Sequence, residues 1–270
     1  MPVLQLGPHD GLYYELDRPQ RADLPSFVFI NAITGDAGMW QGEIGPALRE
    51  AGFGTLCYNF RGQANSPYSP GTDLDEQLIV ADLQRIVADL EVARPVLVGL
   101  SIGGLYAAKA YLAGTAAAGL VLINTLRRIG PRLDWMNDAT LRLMEVAGPA
   151  LMRDVMSPLL FGPDWLAAHR HEFLLPNTRY EPLVRDSGAA NLLTWMGRTD
   201  WDIAYDHLDC PVLVLTGPND RVFYDPAVVA ELFERLPDGR RIDFDAAGHM
   251  LPVEAPGLFT AALKEFAATL

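Results

Sequence analysis

Cysteine is nearly absent from this chain: Cys57 and Cys210 are the only two in 270 residues. Each lies in or beside a strand-like run, so both read as small buried apolar side chains rather than as a disulfide framework. Positive charge is also short, with 21 Lys and Arg against 34 Asp and Glu and a formal net charge of −13. Nucleic-acid backbones and anionic membrane surfaces both demand a basic face, so neither is expected as a partner. No apolar run approaches the roughly 20 residues of a membrane-spanning helix, and the stretch 95–100 is far too short. The opening Met1-Pro2-Val3-Leu4-Gln5-Leu6-Gly7 lacks the charged and apolar regions of a signal peptide, so a cytoplasmic location is expected.

What remains is globular: half the residues are apolar and a fifth are charged, enough to bury a full core. Short strand-like runs at 26–30, 54–58, 95–99, 120–123 and 212–215 predict buried strands, with a last one at 241–244. Residues 12–16 predict an antiparallel edge. Helical spacing intervenes at 74–90, 103–111, 228–236 and 257–267, and Thr72-Asp73-Leu74-Asp75 reads as a capping box with Thr72 as N-cap. Strand and helix in alternation predict an α/β fold with a parallel sheet covered by helices. From 127 to 205 no strand is evident, yet four of five tryptophans and five of eight methionines fall there. The expected division is therefore a core of residues 1–126 and 206–270 with a helical cap at 127–205.

The chemistry starts at Gly99-Leu100-Ser101-Ile102-Gly103, which fits G-x-S-x-G between a strand and a helix. Chance yields about 0.05 such matches in a chain of this composition. A serine on so tight a turn projects its hydroxyl above the sheet, beside the positive end of the following helix. A serine hydroxyl is a poor nucleophile until a base takes its proton. Of five histidines, His249 follows the last strand on a glycine-containing loop at the carboxyl edge of the sheet, where ligands bind. The imidazole needs an acid to hold its tautomer. Asp220 leaves the penultimate strand toward that edge; the rival position after 120–123 offers only Asn124 and Thr125, and Asp245 belongs to a strand end. Ser101, Asp220 and His249 are thus the expected triad.

With these segments, and with Gly217–Asp220, Glu254-Ala255-Pro256 and Asn59-Phe60-Arg61-Gly62-Gln63-Ala64-Asn65-Ser66, the chain resembles the α/β-hydrolase superfamily over nearly its whole length. Asn59 and Ala64 depart from that family's D-x-R-G-x-G-x-S loop. The resemblance implies an eight-stranded, mostly parallel sheet, a helical cap after the sixth strand, and neither metal nor organic cofactor. It also implies an oxyanion hole from the amide of Ile102 and, in the loop Asn31-Ala32-Ile33-Thr34-Gly35, that of Ile33, with Asn31 in place of the usual histidine as brace. Asn31, Trp135, Met156, Trp165 and Met250 are the expected substrate-binding residues, and the substrate is expected to be a small molecule with an apolar acyl part. Family members include esterases, lactonases, thioesterases, acyltransferases and hormone receptors. The reading is a serine hydrolase of carboxylic ester-type bonds, with acyl transfer and a non-catalytic receptor as alternatives.

Overall fold

The structure is a computed structural model that describes residues 2–270. Strands are β1 (Val3–Gln5), β2 (Gly11–Asp17), β3 (Ser26–Ile30), β4 (Gly54–Tyr58), β5 (Pro95–Leu100), β6 (Gly119–Ile123), β7 (Val212–Thr216) and β8 (Gly239–Asp243). Helices are α1 (Gly38–Gln41), α2 (Ile44–Glu50), α3 (Glu76–Asp89), α4 (Ile102–Leu112), α5 (Pro131–Leu160), α6 (Pro163–His169), α7 (Gly188–Met196), α8 (Pro226–Phe233), α9 (Leu251–Glu254) and α10 (Pro256–Ala267). The strands form one eight-stranded sheet in the order β1-β2-β4-β3-β5-β6-β7-β8. The two N-terminal strands pair antiparallel and all later pairs are parallel. This is the expected α/β fold.

The five central strands read as unbroken apolar runs because helices cover both faces of the sheet. On β3 the side chains alternate: Phe27 and Phe29 join a core with Trp40, Leu48, Val98, Leu215 and Phe259, under α1, α2 and α10. Val28 and Ile30 point the other way, into a core with Leu83, Ile86, Leu105, Val229 and Leu232, under α3, α4 and α8. Cys57 and Cys210 are buried free thiols in these cores, one on each side. The edge strand β8 is more exposed and carries Arg240 and Arg241, charges that discourage pairing with another chain.

The strand order reverses between β3 and β5, since the chain runs from β3 outward to β4 and then crosses back. At such a switch point the loops leaving the carboxyl ends of neighbouring strands part, and a crevice opens. The loops after β3 and β5, which carry Ile33 and Ser101, leave the sheet there.

Helix α3 begins later than the expected capping box. Asp75, not Thr72, is its N-cap and accepts from the Leu78 amide at 2.9 Å. Residues 72–74 are held out of the helix by Asn191 of α7, which accepts from Leu74 N at 3.0 Å and donates to Thr72 O at 2.8 Å. Between β6 and β7 the regular structure is helical throughout, and α5 is kinked at Gly148 (φ 76°), followed by Pro149. A Cβ at Gly148 would lie 1.8 Å from Glu181 O, so only glycine lets the segment around 181 pass there.

The strand-to-helix turn around Ser101 is equally intolerant. A Cβ on Gly103 would lie 2.3 Å from Ile30 O, and one on Gly99 would lie 2.3 Å from the Gly103 carbonyl. The obstacles are backbone atoms that cannot swing away. Gly103→Ala is therefore expected to cost at least the ~1–3 kcal/mol of ordinary overpacking. Urea denaturation measures this, and an unchanged midpoint would show that α4 can draw away from β3.

Candidate active site

Ser101 sits between β5 and α4 with φ 58° and ψ −117°, a conformation that costs a residue with a Cβ about 1–3 kcal/mol. Neighbouring bonds hold it there: its amide donates to Ile123 O at 2.7 Å, and Thr125 Oγ1 donates to its carbonyl at 3.1 Å. Helix α4 starts at the next residue, so its free amides and positive dipole end lie beside the hydroxyl.

His249 and Asp220 arrive on the loops after β8 and β7. His249 Nδ1 is 2.6 Å from Asp220 Oδ2, and both side chains are buried. The other carboxylate oxygen, Oδ1, accepts from the amides of Val222 at 3.0 Å and Phe223 at 2.9 Å, which fixes its plane. Burial alone would push the Asp220 carboxyl up. The charge and hydrogen bond of His249, with the Phe223 amide and the nearby Arg127 charge, hold it below its ordinary value. No hydrogen bond joins Ser101 to His249 here; bonds of this kind commonly tighten only with substrate. Asp245 takes no part: its carbonyl accepts from Asn219 Nδ2 at 2.8 Å.

Two side chains hold these loops together. Asn124, at the end of β6 with φ 47°, donates to Gly248 O at 3.1 Å and His249 O at 2.8 Å, and accepts from Gly217 N at 2.9 Å. Glu254 accepts from the amides of Gly162, Gly248 and Met250 at 2.6–3.0 Å. Burial pushes the Glu254 carboxyl above its ordinary value despite these bonds. Asn124→Ala would strand two carbonyls and one amide, at about 1–3 kcal/mol for each group left buried and unpaired. Asn124→Asp should be no better, because a carboxylate cannot donate to the two carbonyls. Denaturation of both variants tests this, and wild-type stability in either would mean that the loops hold themselves.

The loop after β3 is braced with comparable density. Asn31 is fully buried; its Nδ2 donates to Tyr58 O, Asn59 Oδ1 and Gln63 Oε1 at 2.8–3.2 Å, and its Oδ1 accepts from Trp40 Nε1 at 2.7 Å. Gln63 Nε2 in turn donates to the carbonyls of Ala32 and Ile33 at 3.1 and 3.3 Å. With its carbonyls occupied, the loop leaves the Ile33 amide without an acceptor among the described residues, as is the Ile102 amide. Asn31 thus works from beneath the loop and does not line the cavity.

Ser101, Ile33, Ile102 and His249 share the wall of a cavity of roughly 120 Å³, lined also by Met152, Met156, Leu193, Met196 and Met250. The expected contacts of Met156 and Met250 are therefore on its wall, whereas two expected tryptophans stand away from it. Trp135 is 77% exposed on α5, and Trp165 stacks between Phe161 and His169 at 4.1 and 4.0 Å. The tryptophan at the cavity is Trp201, with Phe223 and a buried cation, Arg127. Arg127 donates from Nη2 to Ser101 Oγ at 3.0 Å and to Asn124 O. Sequence reasoning missed all three, although a charged residue four positions beyond β6 at the carboxyl edge was a usable signal. No three His, Cys, Asp or Glu side chains gather as a metal-binding group among the described residues. No helix among them is long and apolar enough to cross a membrane.

Sheet order, strained serine turn and buried imidazole–carboxylate pair together define an α/β hydrolase. Residues 27–263 match the alpha/beta hydrolase family, and the chain belongs to it. A curated relative from Shigella flexneri serotype X, named "Putative carbamate hydrolase RutD", is 26% identical over 94% of this chain and 96% of its own. Among solved structures, MGS-M2, an alpha/beta hydrolase enzyme from a Medee basin deep-sea metagenome library, is similar with a TM-score of 0.82, at 19% identity over 98% of this chain and 96% of its own. The enol-lactonase from Burkholderia xenovorans LB400 is similar with a TM-score of 0.77, at 23% identity over 96% and 97%.

Proposed function

We propose that this chain is a serine hydrolase of carboxylic ester-type bonds (ester, lactone or thioester) that works through an acyl-enzyme on Ser101. The observation that carries this reading is the Asp220–His249 pair at 2.6 Å, opening onto the same cavity as a serine at positive φ. His249 takes the Ser101 proton as Oγ attacks the carbonyl carbon, and Asp220 holds the imidazole tautomer and stabilises the cation that forms. The negative oxygen of the tetrahedral intermediate falls to the amides of Ile33 and Ile102, each worth about 2.7–4 kcal/mol in such a role. The imidazolium then returns the proton to the leaving group. Water attacks the acyl-enzyme, gives its proton to His249, and releases the acid with Ser101 restored.

Residues 127–205 act in this reading as a cap that narrows the mouth of the site and excludes water. A cavity of roughly 120 Å³ with mainly apolar walls suits a small acyl group. The hydrolytic sense of the name carried by the Shigella flexneri relative supports the reaction class. The two buried thiols suit a reducing compartment such as the cytoplasm.

Labelling with a fluorophosphonate tests the reading. Wild type is expected to take up the label at Ser101 and to turn over short-chain esters faster than long ones. Label found elsewhere, or ester turnover surviving in Ser101→Ala, would overturn it. Met156→Ala, which enlarges the cavity, is expected to shift the preference toward longer acyl chains by about tenfold, the order of what one or two methylenes are worth in an apolar pocket. Equal loss on every ester would make Met156 a packing residue only.

A further inference from the structure

Arg127 carries a charge that no ion pair of the fold meets directly and that the proposed acyl transfer does not use. It is 4% exposed, and its guanidinium carbon lies 4.3 Å from the ring centres of both Trp201 and Phe223. Its Nη2 is engaged with Ser101 Oγ and the Asn124 carbonyl, but Nε is buried with no partner. Among the described residues no carboxylate lies within ion-pair distance. The charge of Asp220 is felt at Arg127, but no hydrogen bond joins the two, since the carboxylate oxygens are held by His249 and by the Val222 and Phe223 amides. The contrast with Arg61 is direct: that largely buried guanidinium is met bidentately by Asp82, at 2.7 and 2.6 Å.

A buried cation with no carboxylate in contact is costly, and the more distant Asp220 charge and two aromatic faces offset only part of that cost. The sandwich also holds the guanidinium plane while taking none of its N–H donors. Burial pushes its pKa down to about 10, which leaves it cationic at neutral pH. Arg127 lines the cavity that holds Ser101 and His249. A planar fork of donors with no carboxylate in contact, fixed at a cavity wall, matches a carboxylate.

We propose that Arg127 binds a carboxylate carried by the substrate, so that the site takes small acyl compounds with a free carboxylate a few atoms from the carbonyl that Ser101 attacks. The proposal rests on Ser101 being the nucleophile. The spacing follows from the contacts: Nη2 is 3.0 Å from Ser101 Oγ, and a charge-assisted bond to the carboxylate adds about 2.8 Å. That leaves about two or three carbons between the two groups, within what the cavity holds. The bound anion supplies the direct carboxylate contact the fold leaves out, and draws the guanidinium's donors off the Ser101 hydroxyl.

Monomethyl succinate and methyl pentanoate form a suitable pair, since they are close in length and differ in the terminal carboxylate. With turnover followed by pH-stat, wild type is expected to favour the anionic ester in kcat/KM by about 100-fold. Arg127→Gln should reduce that ratio by about the same factor, and Arg127→Lys should recover part of it. Succinate, but not succinamide, should slow fluorophosphonate labelling of wild type and raise its Tm. Two wild-type results overturn the proposal whether or not the variants fold: preference for the neutral ester, or equal effects of succinate and succinamide on Tm. A fall of both esters by one factor in folded Arg127→Gln, with the ratio kept, also overturns it and makes Arg127 a positioning residue for Ser101. Failure of Ser101 to label, with a succinate-specific Tm shift retained, would instead strike the nucleophile assignment and leave the anion site standing.

Discussion

Ser101→Ala and His249→Ala are each expected to lower kcat by about 10⁶, and the double variant by no more than either alone. The two groups act as a unit: without the base the hydroxyl keeps its proton, and without the hydroxyl the base has nothing to activate. What remains in either variant is the contribution of the oxyanion amides and of binding, about 10³–10⁴ over water. Losses that multiply in the double variant would contradict shared roles. Stability follows a different rule, because Ser101 is held at φ 58° by its neighbours and not by its hydroxyl. Ser101→Ala keeps a Cβ in that strained position and should unfold close to wild type. Ser101→Gly removes it and should be the more stable of the two by about 1 kcal/mol. Urea denaturation separates them, and identical midpoints would mean that the turn stores no strain in the Cβ.

Asp220→Asn is expected to lower kcat by about 10⁴ with the fold intact. The remaining amide oxygen can still accept from Val222 and Phe223, so the loop keeps its shape. The NH₂ group then faces His249 Nδ1 and donates, which leaves the proton on the wrong imidazole nitrogen. Asp245→Asn is the control and should change little, because only the Asp245 backbone carbonyl contributes to the region. If Asp245→Asn were the damaging change, the acid would be misassigned. The same carboxyl shapes acid stability. Its folded pKa lies below the ordinary value of about 4, so its stabilising contribution is present above that value and is lost as pH falls through the folded one. The Asp220→Asn protein has no such contribution to lose.

Legibility was highest where the signal is local. The apolar runs at 26–30, 54–58, 95–99, 120–123 and 212–215 all lie within strands of the sheet, because a strand covered on both faces needs apolar side chains at successive positions. G-x-S-x-G is readable for a similar reason: glycines two residues either side of Ser101 are required where an added Cβ would lie 2.3 Å from neighbouring backbone. The start of α3 is not legible locally, because Thr72 and Asp75 are equally good caps in isolation. The choice between them is made by Asn191, more than a hundred residues away.

The tryptophans of the helical segment show the limit most clearly. Composition marks Trp135, Trp165 and Trp201 alike as aromatic surface, yet one faces solvent, one stacks on Phe161 and one covers Arg127 beside Ser101. Which face of a helix meets the cavity depends on how α5, kinked at Gly148, lies over the sheet, and no local pattern encodes that. By itself the sequence determined the sheet, the serine turn, and the candidates Asp220 and His249, since these rest on periodicity and on residue types at strand ends. Only the tertiary structure decided that Asn124 ties the two loops, that Gln63 joins Asn31 in holding the Ile33 loop, and that a guanidinium with no carboxylate in contact stands at the nucleophile. Those are contacts between residues distant in the chain, and their energies depend on burial and on the presence or absence of a partner within a few ångströms.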